Sequence, residues 1–147
     1  MNSRTLIAVA LVCCGCSRSD DELPRAAVHG RVTWQGTPLS EGIIRFVPLE
    51  KGKGGKTSVN IHDGAFEVDA YNGPVVGEHR IEIASTDDGG FAMDDEKAFE
   101  RLRELKIRKF DVVIIPPIYN LRSILTETVS ADSPNQFDFQ LTKPKRR

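Results

Sequence analysis

From Ala27 onward, apolar residues return at every second position. A period of two admits strands and rules out an amphipathic helix over the same stretches. Val28, Val32 and Trp34 alternate with His29, Arg31 and Thr33, and Ile44, Phe46 and Pro48 alternate with Arg45 and Val47. Val59 and Ile61 lead into His62-Asp63-Gly64, a hairpin turn, and Phe66 and Val68 lead out of it. His79, Ile81 and Ile83 share one face of a further strand. Leu125 to Ser130, and then Phe137, Phe139 and Leu141, read as a last pair joined by the turn-rich 132–135. Gln35-Gly36, Glu41-Gly42 and the KGKGGK run at 51–56 supply the punctuation. About seven short strands in one antiparallel sandwich are the expected result.

One stretch breaks the period. DDEKAFERLRELKIRK, residues 94–109, is rich in helix formers, with Ala98, Leu102 and Leu105 on one stripe and Asp94 or Asp95 placed to cap it. A short amphipathic helix at about 94–106 is expected in a crossover, covering a sheet edge or face. A helix of this length is marginal alone and needs that packing.

All three cysteines, Cys13, Cys14 and Cys16, fall in the first sixteen residues, and the rest of the 147-residue chain has none. The expected domain therefore has no disulfide and no thiolate site of its own. The N-terminus runs from a short basic region, MNSR, through an apolar run to polar chain, the three parts of a secretory signal. The apolar run is far shorter than the roughly 20 residues needed to span a bilayer. These residues resemble the bacterial lipoprotein leader, in which a Leu-x-x-Cys box with a small residue before the cysteine directs acylation and cleavage. Two or more acyl chains give stable anchoring where one gives weak binding.

Two registers compete for the lipid. Cys16 has Gly15 before it but Cys13 at the usual leucine position; Cys14 has Leu11 in place but Cys13 before it. Cys16 is preferred, because tolerance of only small residues at the cut is the tighter steric demand. The chain then divides into a signal peptide (1–15), a flexible tether (16–26), a β-sandwich domain (27–142) and a basic tail (143–147). A three-cysteine metal site within CCGC is the weaker reading, since such clusters draw a fourth ligand from elsewhere.

Charge excludes some partners. With 20 basic and 21 acidic residues the net charge is −1, too weak a field to draw nucleic acid or an anionic bilayer. There is no G-x-S-x-G elbow, no H-E-x-x-H and no P-loop. Of the three histidines, parity turns His29 away from the Val28/Val32 face while His79 shares the Ile81/Ile83 face, so those two are not expected to meet. The acidic group Asp87, Asp88, Asp94, Asp95 and Glu96 lacks the order of a calcium loop and is read as solvated. Tyr119 is expected to cap a corner by donating its hydroxyl to backbone, and Trp34 to lie in the core. No catalytic, cofactor or metal residue is assigned.

The stretch VHGRVTWQGTPLSEGIIRFVP, with the later DGAFEVDA and GEHRIEIA, resembles the carboxypeptidase-regulatory-like, transthyretin-like module. The C-terminal IPPIYNLRSILTETVSADSPNQFDFQL resembles a motif of small bacterial lipoproteins that carry this module. The resemblance runs from about Val28 to Leu141 and departs between Ser85 and Phe110. It implies an all-β, seven-strand antiparallel, prealbumin-like or Ig-like sandwich, and no activity. The expected protein is lipid-anchored and non-catalytic, held in the cell envelope facing the periplasm or exterior, with an envelope protein as partner. The alternatives are a small-ligand or carbohydrate binder, which needs a pocket lined by exposed aromatics, and a transthyretin-like hydrolase. The hydrolase requires at least two histidines and an arginine in one cleft.

Overall fold

The computed structural model describes residues 23–87, 104, 112–132 and 134–144. The described residues form an all-β body of eight strands: β1 (Val28–Trp34), β2 (Thr37–Pro38), β3 (Glu41–Pro48), β4 (Thr57–His62), β5 (Ala65–Val68), β6 (Gly77–Ser85), β7 (Thr126–Val129) and β8 (Asn135–Leu141). β2 is a two-residue arm, so seven strands build the sheet. The helix expected at 94–106 lies outside the described residues, Glu104 excepted.

Alternation translates directly into burial. In β4 the pattern is strict, with Thr57, Val59 and Ile61 inside and Ser58, Asn60 and His62 outside. β3 and β6 bury Ile44, Phe46, His79, Ile81 and Ile83 in the same way. The two tight hairpins form where the sequence places glycine second of two residues at positive φ. Gln35 and Gly36 have φ of 54° and 84°, and Asp63 and Gly64 have 49° and 77°. Turns with both central residues in this region match the twist of the flanking strands. Gly64 is doubly constrained, since a Cβ there would stand 2.7 Å from that of Pro38.

The sheet runs β8-β1-β5-β4-β3-β6-β7. β4 and β5 pair at His62–Ala65 and nowhere further along, because their hairpin tip is tied elsewhere. Asp63 N–H donates to Ser40 O at 2.8 Å, and Gly64 N–H donates to Leu39 O at 2.7 Å. From that tip β4 follows β3 while β5 follows β1, and the sheet curls. Four strand spacings in a flat sheet would hold β8 from β3 by about 19 Å. The rings of Phe46 on β3 and Phe137 on β8 instead have centroids 6.2 Å apart. Phe66 of β5 closes the same cluster, 6.3 Å from Phe46 and 6.4 Å from Phe139.

Two expectations need correction. β7 and β8 do not form a hairpin: β7 pairs with β6, and β8 runs parallel to β1 over all seven of its residues, from Val28↔Asn135 to Trp34↔Leu141. The residues between them carry the chain from one half of the curl to the other. Tyr119, at the end of a short 3₁₀ turn (Pro117–Tyr119), accepts rather than donates, from Thr142 N–H at 3.5 Å. Trp34 packs, partly buried, against the core as expected.

His79 is enclosed among apolar side chains, 1% exposed, with its ring edge toward Phe46. Burial pushes its pKa below the ordinary 6.5, against a smaller raising effect of the Gly77 carbonyl. That carbonyl lies 3.0 Å from Nδ1, so Nδ1 carries the proton and donates. Nε2 is left as a bare acceptor, with no partner among the described residues. The sign of the linkage follows. Below pH 6.5 the unfolded chain takes up a proton that the folded one resists, so this part of the stability is present above 6.5 and falls with pH beneath it. The slope is at most about 1.4 kcal/mol per pH unit. Replacing His79→Phe is expected to raise the urea midpoint at pH 5 more than at pH 7.5; an equal shift at both would contradict the buried neutral ring.

Candidate recognition surface

A concavity of about 750 Å3 lies on the outward face of β4, β5, β1 and β8. Its polar residues are the ones that alternation sends away from the core. His29, Arg31, Asn60, His62, Glu67 and Asp138 all line it. Register sets their spacing: His29 stands between Glu67 and Gln136, and Arg31 between Ala65 and Asp138. The floor is formed by Gly30, Val59 and Phe66. Gly30 is required where β1 meets β8, since a Cβ there would overlap the Phe137 carbonyl oxygen.

These groups are unengaged. Among the described residues, the side chains of His29, Arg31, Asn60, Glu67, Gln136 and Asp138 make no hydrogen bond, ion pair or ring contact. Only His62 has a partner, Glu41 Oε2 at 2.9 Å from its Nδ1, and both side chains are largely exposed. Side chains with spare donors and acceptors on a concave face can each bond an incoming molecule without breaking an internal pair first. The backbone adds to this, because past His62–Ala65 the facing edges of β4 and β5 do not pair.

The histidines are distributed as parity requires, with one addition. His29 is outside and His79 inside, so they do not meet. His62, read from the sequence as part of a turn, joins His29 and Arg31 in the concavity. Two histidines and an arginine thus share one cleft. The hydroxyl there, Ser58, has no hydrogen bond to either ring among the described residues. Phe66 is the aromatic side chain of the floor and is only 3% exposed.

Cys16 and Cys14 lie outside the described residues, as do Asp88, Asp94, Asp95 and Glu96 of the acidic group. Asp87 is described and accepts from the Ser40 hydroxyl at 3.3 Å. Among the described residues no three His, Cys, Asp or Glu side chains gather as metal ligands. Nor is any helix there long and apolar enough to cross a membrane. Ahead of β1, Ala26 N–H donates to Pro74 O at 3.1 Å and Val76 N–H to Pro24 O at 2.8 Å, so the chain is already docked at Pro24. Compared with protein-family models, curated proteins and solved structures, the chain matches none.

Proposed function

We propose that the chain is a lipid-anchored, non-catalytic envelope protein whose prealbumin-like sandwich presents the β4-β5-β1-β8 concavity to a protein partner. The observation that carries this reading is the set of six unengaged polar side chains on one concave face. An extended segment laid there could take backbone bonds from the free edges of β4 or β5, and side-chain bonds from the rows at His29 and Arg31. The leader, with Cys16 as the acylated residue and Cys14 as the alternative, supports anchoring at a membrane. A photo-crosslinker at Asn60 in membrane-anchored protein is expected to capture a defined product that the same probe at Gln140 does not. Arg31→Glu should cut that product several-fold, as an arginine in the middle of an interface usually counts for much. Equal products from both probe positions would sink the assignment of the face.

The gathering of His29, Arg31 and His62 favours one second reading, a transthyretin-like hydrolase of a cyclic purine-breakdown product. It requires that purified protein open such a ring and that His62→Gln abolish the activity.

A further inference from the structure

The end of the body from which the N-terminal chain departs has a chemistry of its own. Leu23 to Ala26 leave between two loops, 49–56 and 69–76. Arg25 Nη1 donates to Gly73 O at 2.7 Å on one side, and on the other a Cβ at Gly54 would stand 3.3 Å from Leu23 Cδ1. The 49–56 loop carries Lys51, Lys53 and Lys56, with Leu49 at its start 48% exposed. Lys53 is paired with Glu50 at 3.0 Å, while Lys51 and Lys56 have no partner among the described residues. At the tip of the other loop Tyr71 is 85% exposed. Its loop is shaped by the Asp69 carboxylate, which accepts the Asn72 N–H at 2.9 Å.

We propose that this end of the body, formed by Leu49, the three lysines and Tyr71 around the departing tether, rests on the anionic headgroups of the bilayer. The inference rests on the lipid-anchor reading and adds an orientation to it. With the lipid on Cys16, seven peptide units separate the acylated residue from Leu23, at most about 25 Å of extended chain. Ammonium groups are drawn to an anionic surface, and a tyrosine settles where one end of its ring is wet and the other apolar. Glu50, Asp69, Glu78 and Asp132 share this end and Asp20, Asp21 and Glu22 lie in the tether, so the attraction is confined to the lysine loop and Tyr71 and works against the surrounding acids. Such a face is weak alone. A short tether supplies an effective concentration on the order of millimolar, which suffices for a weak contact. The basic tail starts at the other end, where Leu141 pairs with Trp34, so charge alone does not decide the orientation.

The full lipidated chain is placed in phosphatidylcholine vesicles with and without phosphatidylglycerol, and headgroup-proximal brominated lipid serves as quencher. In the Tyr71→Trp, Trp34→Phe chain, emission is expected to fall at least twofold in anionic vesicles. Native Trp34, at the opposite end of β1, should be unaffected. Replacing Lys51, Lys53 and Lys56 with Gln together, or omitting phosphatidylglycerol, should remove most of the quenching. Quenching of Trp34 instead, or of both reporters equally, overturns the orientation; quenching that ignores the lysines and the anionic lipid overturns the headgroup contact. The mass of the N-terminal peptide from the same sample tests the anchor separately. Should it carry no acyl group, the face is judged by sedimentation of the Cys14→Ser, Cys16→Ser chain with anionic vesicles. At least tenfold weaker binding by the triple-Gln variant then supports the face, and no difference overturns it.

Discussion

Phe46→Ala is expected to lower the unfolding free energy by about 3–5 kcal/mol, read from urea midpoints of the non-acylated chain with unchanged m. Phe46 is completely enclosed. Its neighbours come from three other strands: Phe66 of β5 at 6.3 Å, Phe137 of β8 at 6.2 Å and His79 of β6 at 6.1 Å between ring centroids. The ring therefore fills the space where the two halves of the curled sheet meet. β3 cannot slide inward to close the hole, because it is held on both edges, by β4 over six residue pairs and by β6 over seven. A cavity that cannot collapse loses both transfer and packing energy. Phe137→Ala, at a residue only partly buried, should cost about half as much, since part of that ring already meets water. A loss below about 1 kcal/mol for Phe46→Ala would mean that the halves do not share this cluster.

How much of this was readable in the chain depends on how local each cause is. The turn at Asp63-Gly64 was legible because positive φ at two successive residues is a short-range demand, met by residues that tolerate it. The inward faces of β1, β3, β4 and β6 were legible because alternation alone decides them. The partner of β8 was not. Phe137, Phe139 and Leu141 alternate equally well beside β7 or beside β1, and a parallel pairing leaves no turn signature between the two strands. The concavity was hidden for a related reason. His29, Arg31 and His62 were each visible as outward residues, yet their meeting depends on β4 and β5 parting after one pair, which the Leu39–Ser40 corner enforces from far along the chain.

What selects the parallel course of β8 is concentrated in one side chain, and Asn135→Ala is expected to cost about 2–4 kcal/mol. Asn135 is 6% exposed and opens β8 opposite Val28. Its amide satisfies three backbone groups at once. Oδ1 accepts from Ser130 N–H at 2.8 Å, while Nδ2 donates to Ser130 O at 2.9 Å and to Ala27 O at 3.0 Å. One end of this bridge is the residue just after β7 and the other is the residue just before β1, so the amide joins the strand being left to the strand being joined. Alanine strands all three backbone groups; Ser130 is half-buried, and water reaching it would hold the loss toward the lower figure. Asn135→Asp separates geometry from chemistry. A carboxylate of the same shape still accepts from Ser130 N–H but offers two carbonyl oxygens no donor, so at pH 7 it should cost at least as much as alanine. At a pH low enough to protonate it, one donor returns and the gap to alanine should narrow. Urea unfolding of both variants, with amide exchange at Ser130, checks this. If neither costs more than about 0.5 kcal/mol, the seven-residue ladder between β1 and β8 holds the crossing by itself.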